Sequence, residues 1–418
     1  VILALFAPAF ANGQTSHQWI TERSLEELPA GELKDFLSAP DVHDALLNGT
    51  MFPDGGYAVG DNYGEMAHWE PTQDLYLAWI LANHPAPFDE VGAQHAAFLF
   101  GMMSHGMADQ FYDATFMERS KAWDPAESWA CCSMDEATDV AMAAATEPGV
   151  VPEKWWPEEL IPLFAANGHT VDFDTVDQGQ SLLGLAIAYV GASSEYEETV
   201  QRYTDEFPWA CTHQVDPDVV GNPQHEARIV AAYWQVLWAR LHGEDGWSSP
   251  VIGSVPDAGG WQPVVDHTSV DGRIAVVFAK GLEPSTVDGA ITVARADGTE
   301  VPVTVDVYYG YASHVVNITP GEDWAVDAEH VITVHPGVTT FDGYVLEDTI
   351  TIPFTTKEPV EAEPEPMPMP EGDGCGCGGA AGAGWMWLVA GVGVIGRRPR
   401  GGRGASRARS YRSWEREG

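Results

Sequence analysis

His105, Asp109 and Asp113 recur at intervals of four in the run Phe98-Leu-Phe-Gly-Met-Met-Ser-His-Gly-Met-Ala-Asp-Gln-Phe-Tyr-Asp113. The run is apolar and free of proline, so it predicts a helix, and residues four apart then share one helical face. Phe98, Leu99, Phe100, Met102 and Met103 flank that face. An imidazole and two carboxylates in such surroundings are costly to bury unless something pairs with them. A divalent metal ion can pair with all three.

Four further segments carry the same residue types: Thr15-Ser-His17, Phe52-Pro-Asp54, Glu65-Met-Ala-His68-Trp69 and Cys131-Cys-Ser-Met-Asp135-Glu-Ala-Thr-Asp139. His, Asp and occasionally Cys are the ligands zinc prefers. Val1-Ile-Leu-Ala-Leu-Phe-Ala-Pro-Ala-Phe-Ala11 reads as the apolar end of a secretory signal, with Ala9-Phe10-Ala11 as cleavage site. Cleavage there frees the α-amino group of Asn12, which together with its carbonyl can chelate a metal. Five cysteines fit no dense disulfide framework, although an exported Cys131–Cys211 or Cys132–Cys211 bridge remains open.

The elements that must position these ligands read as mostly helical from residue 12 to about 245. Helices are expected over residues 19–37, 72–83, 91–111, 135–145, 178–190, 196–206 and 224–241. The last carries Ile229, Tyr233, Val236, Leu237 and Leu241 at helical spacing. Phe52-Pro-Asp-Gly-Gly56 reads as one of several long loops. After Trp247 the pattern changes to short, β-branched, roughly alternating runs at residues 273–279, 290–295, 301–307, 314–319, 330–334 and 349–354. Turns such as Asp297-Gly298 and Asp342-Gly343 punctuate them, which predicts a β-sandwich. Residues 250–356 resemble bacterial Ig-like modules, through Thr286-Val, Asp297-Gly298, Thr319-Pro320 and Phe354-Thr-Thr356 in that order. No chemistry is visible in this segment, and a spacer or adhesion role is expected.

Residues 357–374 form a Pro- and Glu-rich linker expected to be disordered. Cys375-Gly-Cys377 follows, then nineteen uncharged residues to Gly396, then Arg397-Arg398-Pro-Arg400 and a basic tail over 401–418. The uncharged stretch is just long enough for a membrane helix, with the arginines on the cytoplasmic side. The order of Cys-Gly-Cys, apolar stretch and arginines resembles the C-terminal sorting tails of myxobacterial surface proteins; an ordinary transmembrane anchor is the alternative. Either reading expects a secreted protein held at the cell surface or outer membrane. The 418 residues carry 62 acids and 20 bases, a net charge of −42. Nucleic acid is a poor partner for so acidic a body, since phosphate binding needs clustered Lys and Arg.

Read together, Ser16-His17, Phe52-Pro-Asp54, Ala67-His68-Trp69 and Phe98-Leu-Phe-Gly-Met-Met-Ser-His-Gly-Met-Ala-Asp109 resemble, in order, the zinc-dependent phospholipase C family. The closer likeness is to the catalytic domain of glycosylphosphatidylinositol-specific phospholipase D, and it covers residues 12–247. It implies an all-α catalytic domain of phospholipase C/P1 nuclease-like fold, followed here by the small all-β Ig-like sandwich and the linker and apolar C-terminal helix. It also implies two to three zinc ions. Asp54, His68, His105 and Asp109 would hold the first. The backbone of Asn12, His17 and Asp109 would hold another, with Asp109 bridging. At the third site this chain departs from the family: Asp113 stands in the first His position and Cys131 in the second, with Asp135 four residues on and Asp139 as a spare.

The activity implied is phosphodiester hydrolysis on phospholipid or glycosylphosphatidylinositol-type substrates at a membrane surface, of C or D type, by a monomer. Asp54 is the expected catalytic residue, ordering or deprotonating the attacking water. Tyr57, Tyr63, Trp69 and Phe111 are candidates for an apolar or choline-accepting groove. A zinc nuclease or phosphatase of related fold, and a non-catalytic surface binding or adhesion protein, are the alternatives.

Overall fold

The computed structural model describes residues 12–310 and 312–358. The signal-like residues 1–11, most of the linker, Cys375-Gly-Cys377, the apolar stretch and the basic tail lie outside the described residues. Among those described, no helix is long and apolar enough to cross a membrane. An all-α part is followed by an all-β sandwich, the order the patterning predicts.

The first segment folds into α1 (Gln14–Glu27), α2 (Glu32–Leu37), α3 (Pro40–Met51), α4 (Asp54–Val59), α5 (Tyr63–Ala67) and α6 (Glu70–Asn83). Next, α7 (Glu90–Tyr112) runs without a break into a π-helical stretch (Asp113–Met117) and α8 (Glu118–Trp123). Then come α9 (Ala126–Cys131), α10 (Met134–Ala145), α11 (Leu160–Ala166), α12 (Phe173–Ser193), α13 (Glu197–Glu206), α14 (Pro208–His213) and α15 (Pro223–Leu241). Side-chain caps start the long helices where the sequence offers them. Asp89 accepts from Gly92 N at 2.7 Å, Asp172 from Thr175 N at 2.8 Å and Asn222 from His225 N at 2.7 Å. The single helix expected over 19–37 is two, because Pro29 cannot continue the ladder and Gly31 follows it. Asp54-Gly-Gly56, expected as loop, opens α4, whose packing on α12 overrides the low helix propensity of two glycines.

Helices α3 and α7 approach backbone to backbone. A Cβ on Gly49 would lie 2.1 Å from the Phe98 carbonyl oxygen, and one on Gly101 would lie 2.1 Å from that of Leu46. Only glycine permits this contact. It carries the C-terminal turn of α3 up to the buried face of α7.

The sandwich has a four-stranded sheet in the order β1-β3-β7-β6 and a five-stranded sheet in the order β2-β9-β8-β4-β5. Its strands are β1 (Val251–Val255), β2 (Trp261–Pro263), β3 (Ile274–Phe278), β4 (Ile291–Arg295), β5 (Glu300–Val301), β6 (Val303–Val307), β7 (Val315–Pro320), β8 (Glu329–Val334) and β9 (Ile350–Lys357). All neighbours pair antiparallel except β2 with β9. Every residue of β3 is buried, where an alternating strand would leave one face wet. The reason lies on both sides of the sheet. Ile274, Val276 and Phe278 face the sandwich interior with Val316 and Ile318. Ala275 and Val277, with Val255 and Val315, belong instead to the core built by the helices, alongside Ile229 and Tyr233 of α15. The sandwich is thus no tethered spacer, for one of its sheets closes the helical core.

Glu70 is the polar keystone of this contact. It is fully buried, and its carboxylate accepts from Arg240 Nη1 at 3.1 Å and from the backbone N–H of Gly281 at 2.7 Å, with His314 Nε2 at 3.4 Å. Burial pushes its pKa up, but the positive charges of His314, Arg240 and Lys280 outweigh burial and hold it down at about 2. The Glu70→Ala variant leaves Arg240 buried without this partner, and a loss of about 3–5 kcal/mol is expected, read as a lower urea midpoint. A depressed carboxylate stabilises above its unfolded pKa. The Glu70 contribution is therefore complete above the ordinary value of 4.5 and lost as pH falls through about 2.

Candidate metal centre

His105 and Asp109, one turn apart on α7, meet His17 of α1, Asp54 at the start of α4 and His68 at the end of α5 in one buried cluster. Backbone carbonyls aim two of the imidazoles. His105 Nδ1 donates to Thr50 O at 2.6 Å, and His68 Nδ1 donates to Gly64 O at 2.7 Å. The two Nε2 atoms face each other across a 2.9 Å hydrogen bond, whose proton a bound metal ion would displace. Asp109 Oδ2 is 3.4 Å from the His68 Nε2 and 3.3 Å from that of His105. Asp54 Oδ1 is 3.6 Å and 3.7 Å from the same two atoms. A tetrahedral cation with bonds of about 2.0–2.1 Å has ligand atoms about 3.3 Å apart, and the His68, His105 and Asp109 donors lie 2.9–3.4 Å from one another.

The remaining contacts complete the fit. Asp109 turns its second oxygen to His17, with Oδ1 3.1 Å from Nε2 but without hydrogen-bond geometry. The His17 ring stacks on His105 at 3.7 Å between centroids. Asp54 Oδ2 accepts a hydrogen bond from Gln14 Nε2, while Oδ1 is buried with no hydrogen-bond partner. Carbonyl-oriented imidazoles beside buried carboxylates are a donor set of the kind that suits a divalent cation.

Electrostatics point the same way. Burial lowers the His68 pKa, but the neighbouring Asp109 and Asp54 carboxylates outweigh it and hold it up at about 10. Burial, with the neighbouring His17, pushes His105 down. Burial would raise Asp109, yet the charges of His105 and His17 hold it well below the usual carboxylate range.

The other expected ligands divide. Asp113 and Asp135 are buried, each pushed well above the usual range by burial and then by a neighbouring acid, Asp109 for the first and Asp113 for the second. Cys131 is exposed, its Sγ 2.9 Å from that of Cys132. A one-turn pairing of Cys131 with Asp135 requires both on one helix. Instead α9 ends at Cys131, Cys132 is extended (φ −132°, ψ 164°), and Ser133 caps α10. Among the described residues, Cys131, Asp113 and Asp135 belong to no group of three converging ligand atoms. Asp139 is no spare ligand here, because it accepts from Thr15 N (3.1 Å), Ser16 N (2.7 Å) and Ser16 Oγ (2.8 Å) and so clamps the first turn of α1. Cys211 is buried and forms no disulfide. Tyr63 and Phe111, expected in a groove, are wholly buried core residues, whereas Tyr57 and Trp69 are half-buried beside His68.

Asn12 is buried and its side chain donates to Glu226 Oε2 at 2.8 Å. Glu226 escaped the reading of the sequence. Its signal was an acid on the apolar face of α15, in register with Val230, Tyr233 and Leu237. Gln14 gave no signal, and the carbonyls of Thr50 and Gly64 could give none.

Fold and donor set together describe a helical domain with a buried His/Asp cluster, joined to an Ig-like sandwich. Residues 251–356 match the family model of the bacterial Ig-like domain. The chain is also similar to phosphatidylinositol-glycan-specific phospholipase D. The Dictyostelium discoideum protein is 26% identical over 266 residues, 59% of this chain and 27% of that protein. The Mus musculus protein is 32% identical over 26% of this chain and 14% of its own length, and the Bos taurus protein 38% identical over 16% and 9%. The chain thus spans about a quarter or less of the relatives it matches.

Cation binding is measurable by thermal unfolding. At saturation near a thousand times Kd, a divalent metal should add about 4 kcal/mol at pH 7.5. The gain should shrink at pH 5, because the cation must displace protons from His68 and its neighbours. An unchanged Tm at both pH values would reject the centre.

Proposed function

We propose that the protein is a zinc-dependent phosphodiester hydrolase acting on phospholipid or glycosylphosphatidylinositol-type lipids, with C- or D-type cleavage. The observation that carries this reading is a pair of buried, overlapping triads, His17–Asp54–His105 and His68–His105–Asp109, whose ligand atoms converge. Similarity to phosphatidylinositol-glycan-specific phospholipase D supports the substrate class.

His68, His105, Asp54 and Asp109 would hold one zinc, and His17 with Asp109 and the Asn12 backbone a second. Bound zinc supplies charge to the non-bridging phosphate oxygens and acidifies a water molecule. Asp54, with Oδ2 occupied by Gln14, would present Oδ1 to the metal and from there order the attacking water. Asp109 divides its two oxygens between His17 and the His68/His105 pair, fixing the spacing of the two positions. Tyr57 and Trp69 both donate to Glu65, at 2.6 Å and 2.8 Å, and stand as an aromatic rim beside His68. Secretion and surface attachment belong to the same proposal, supported by the signal-like residues 1–11 and the Cys-Gly-Cys, apolar and arginine tail.

The test is the full-length protein with zinc on phosphatidylcholine and phosphatidylinositol-glycan lipid, with single-stranded DNA as control and products read by mass spectrometry. Two or three zinc per chain and lipid cleavage are expected. The His105→Ala and Asp109→Asn variants should lose at least about a hundredfold in kcat/KM, since even outer-shell changes cost 10–100-fold. A protein that holds no zinc, or cleaves only DNA, ends the proposal.

A further inference from the structure

We infer that the Ig-like sandwich is part of the active site: its β6–β7 loop supplies Tyr309, which positions Asp113 and, with Trp69, walls the approach of a lipid phosphodiester to the cluster. This rests on the hydrolase reading above and assigns the sandwich a role in that chemistry.

The helix that carries His105 and Asp109 is the one on which the sandwich docks. Gln110, Ala114 and Glu118 follow one another at intervals of four along α7, the π-helical stretch and α8, and each meets the sandwich. Gln110 Oε1 accepts from His314 N at 2.9 Å, and Ala114 O from Asn317 Nδ2 at 3.3 Å. Glu118 accepts from Arg273 Nη1 at 3.2 Å and from the Tyr308 hydroxyl at 3.3 Å. Arg119, next to it, pairs with Asp271 at 3.0 Å. These contacts pin both ends of the loop that follows β6.

From that loop Tyr309 donates its hydroxyl to Asp113 Oδ2, a side chain only 5% exposed whose other oxygen is buried with no hydrogen-bond partner. The Tyr309 ring meets Trp69 edge-to-face at 5.1 Å and remains 45% exposed. The cluster itself is most open on this side. His17 and His105 are 1% and 0% exposed, whereas His68 and Asp109 reach 8% and 9%. A substrate therefore arrives past His68, where Trp69 from the helical part and Tyr309 from the sandwich face each other. Two domains form the wall, and the helical part alone has half of it.

Tyr309→Phe and Tyr309→Ala in the full-length protein separate the two roles, with a soluble short-chain phosphatidylcholine and a short-chain phosphatidylinositol as probes. Loss of the hydroxyl contact frees Asp113, which lies one turn beyond Asp109 and close enough to repel its charge, and should lower kcat about three- to tenfold in both variants. Loss of the ring should raise KM about tenfold in Tyr309→Ala only, with a matching rise in Kd on chelator-treated protein. Thermal unfolding within a few degrees of wild type is expected, because the ring is half exposed. Kinetic constants and Kd equal to wild type in both variants overturn the inference, as does an equal loss of Tm with no kinetic change. A wild type that binds these lipids but cleaves neither defeats the hydrolase reading, and the Kd of Tyr309→Ala still decides the wall. A wild type that neither binds nor cleaves overturns both.

Discussion

Two imidazole rings, each tied by Nδ1 to a main-chain carbonyl, meet Nε2 to Nε2 at 2.9 Å beside two buried carboxylates. Such a cluster must share positive charge, carried by a proton or by a metal ion. Much of the surrounding structure serves this arrangement. The end of α3 must bring Thr50 O to α7, the α5 turn must bring Gly64 O under His68, and Asp139 must hold the first turn of α1 so that His17 lies flat on His105. The proposed divalent cation would offset an otherwise expensive concentration of polar groups in an apolar interior.

The same logic explains why the second structural layer is inseparable from the first. A helix that presents ligands on one face has other faces to bury, and α7 is apolar or polar-but-paired around its circumference. The four-stranded sheet covers the core next to α15 with Ala275, Val277 and Val315, and Glu70 ties the two together in the interior. An Ig-like sandwich standing free would show a wet face on β3. Here that face is the lid of another domain's core.

Much of this was legible in the residues. The four-residue spacing of His105 and Asp109 on an apolar run put both side chains on one buried face, and the residue types of His17, Asp54 and His68 within ordered segments marked the others that gather there. The all-α and all-β halves followed from the change of hydrophobic period near Trp247. What stayed hidden was of three kinds. Backbone acceptors such as Thr50 O have no side chain to read. Helix breaks of two residues, as between Cys131 and Met134, send neighbours in sequence to different places, so a spacing rule fails. Contacts across domains, such as Tyr309 on Asp113, depend on docking that no local pattern encodes.

The seam between α3 and α7 puts the tuning of the pocket in the hands of positions with no chemistry of their own. Gly49 and Gly101 set how near Thr50 O comes to His105, and a single methyl group at either would push the helices apart. The imidazole would keep its identity and lose its aim. Damage to such a site can therefore begin with the smallest side chains in the molecule, silently, while each of its histidines and aspartates is still in place.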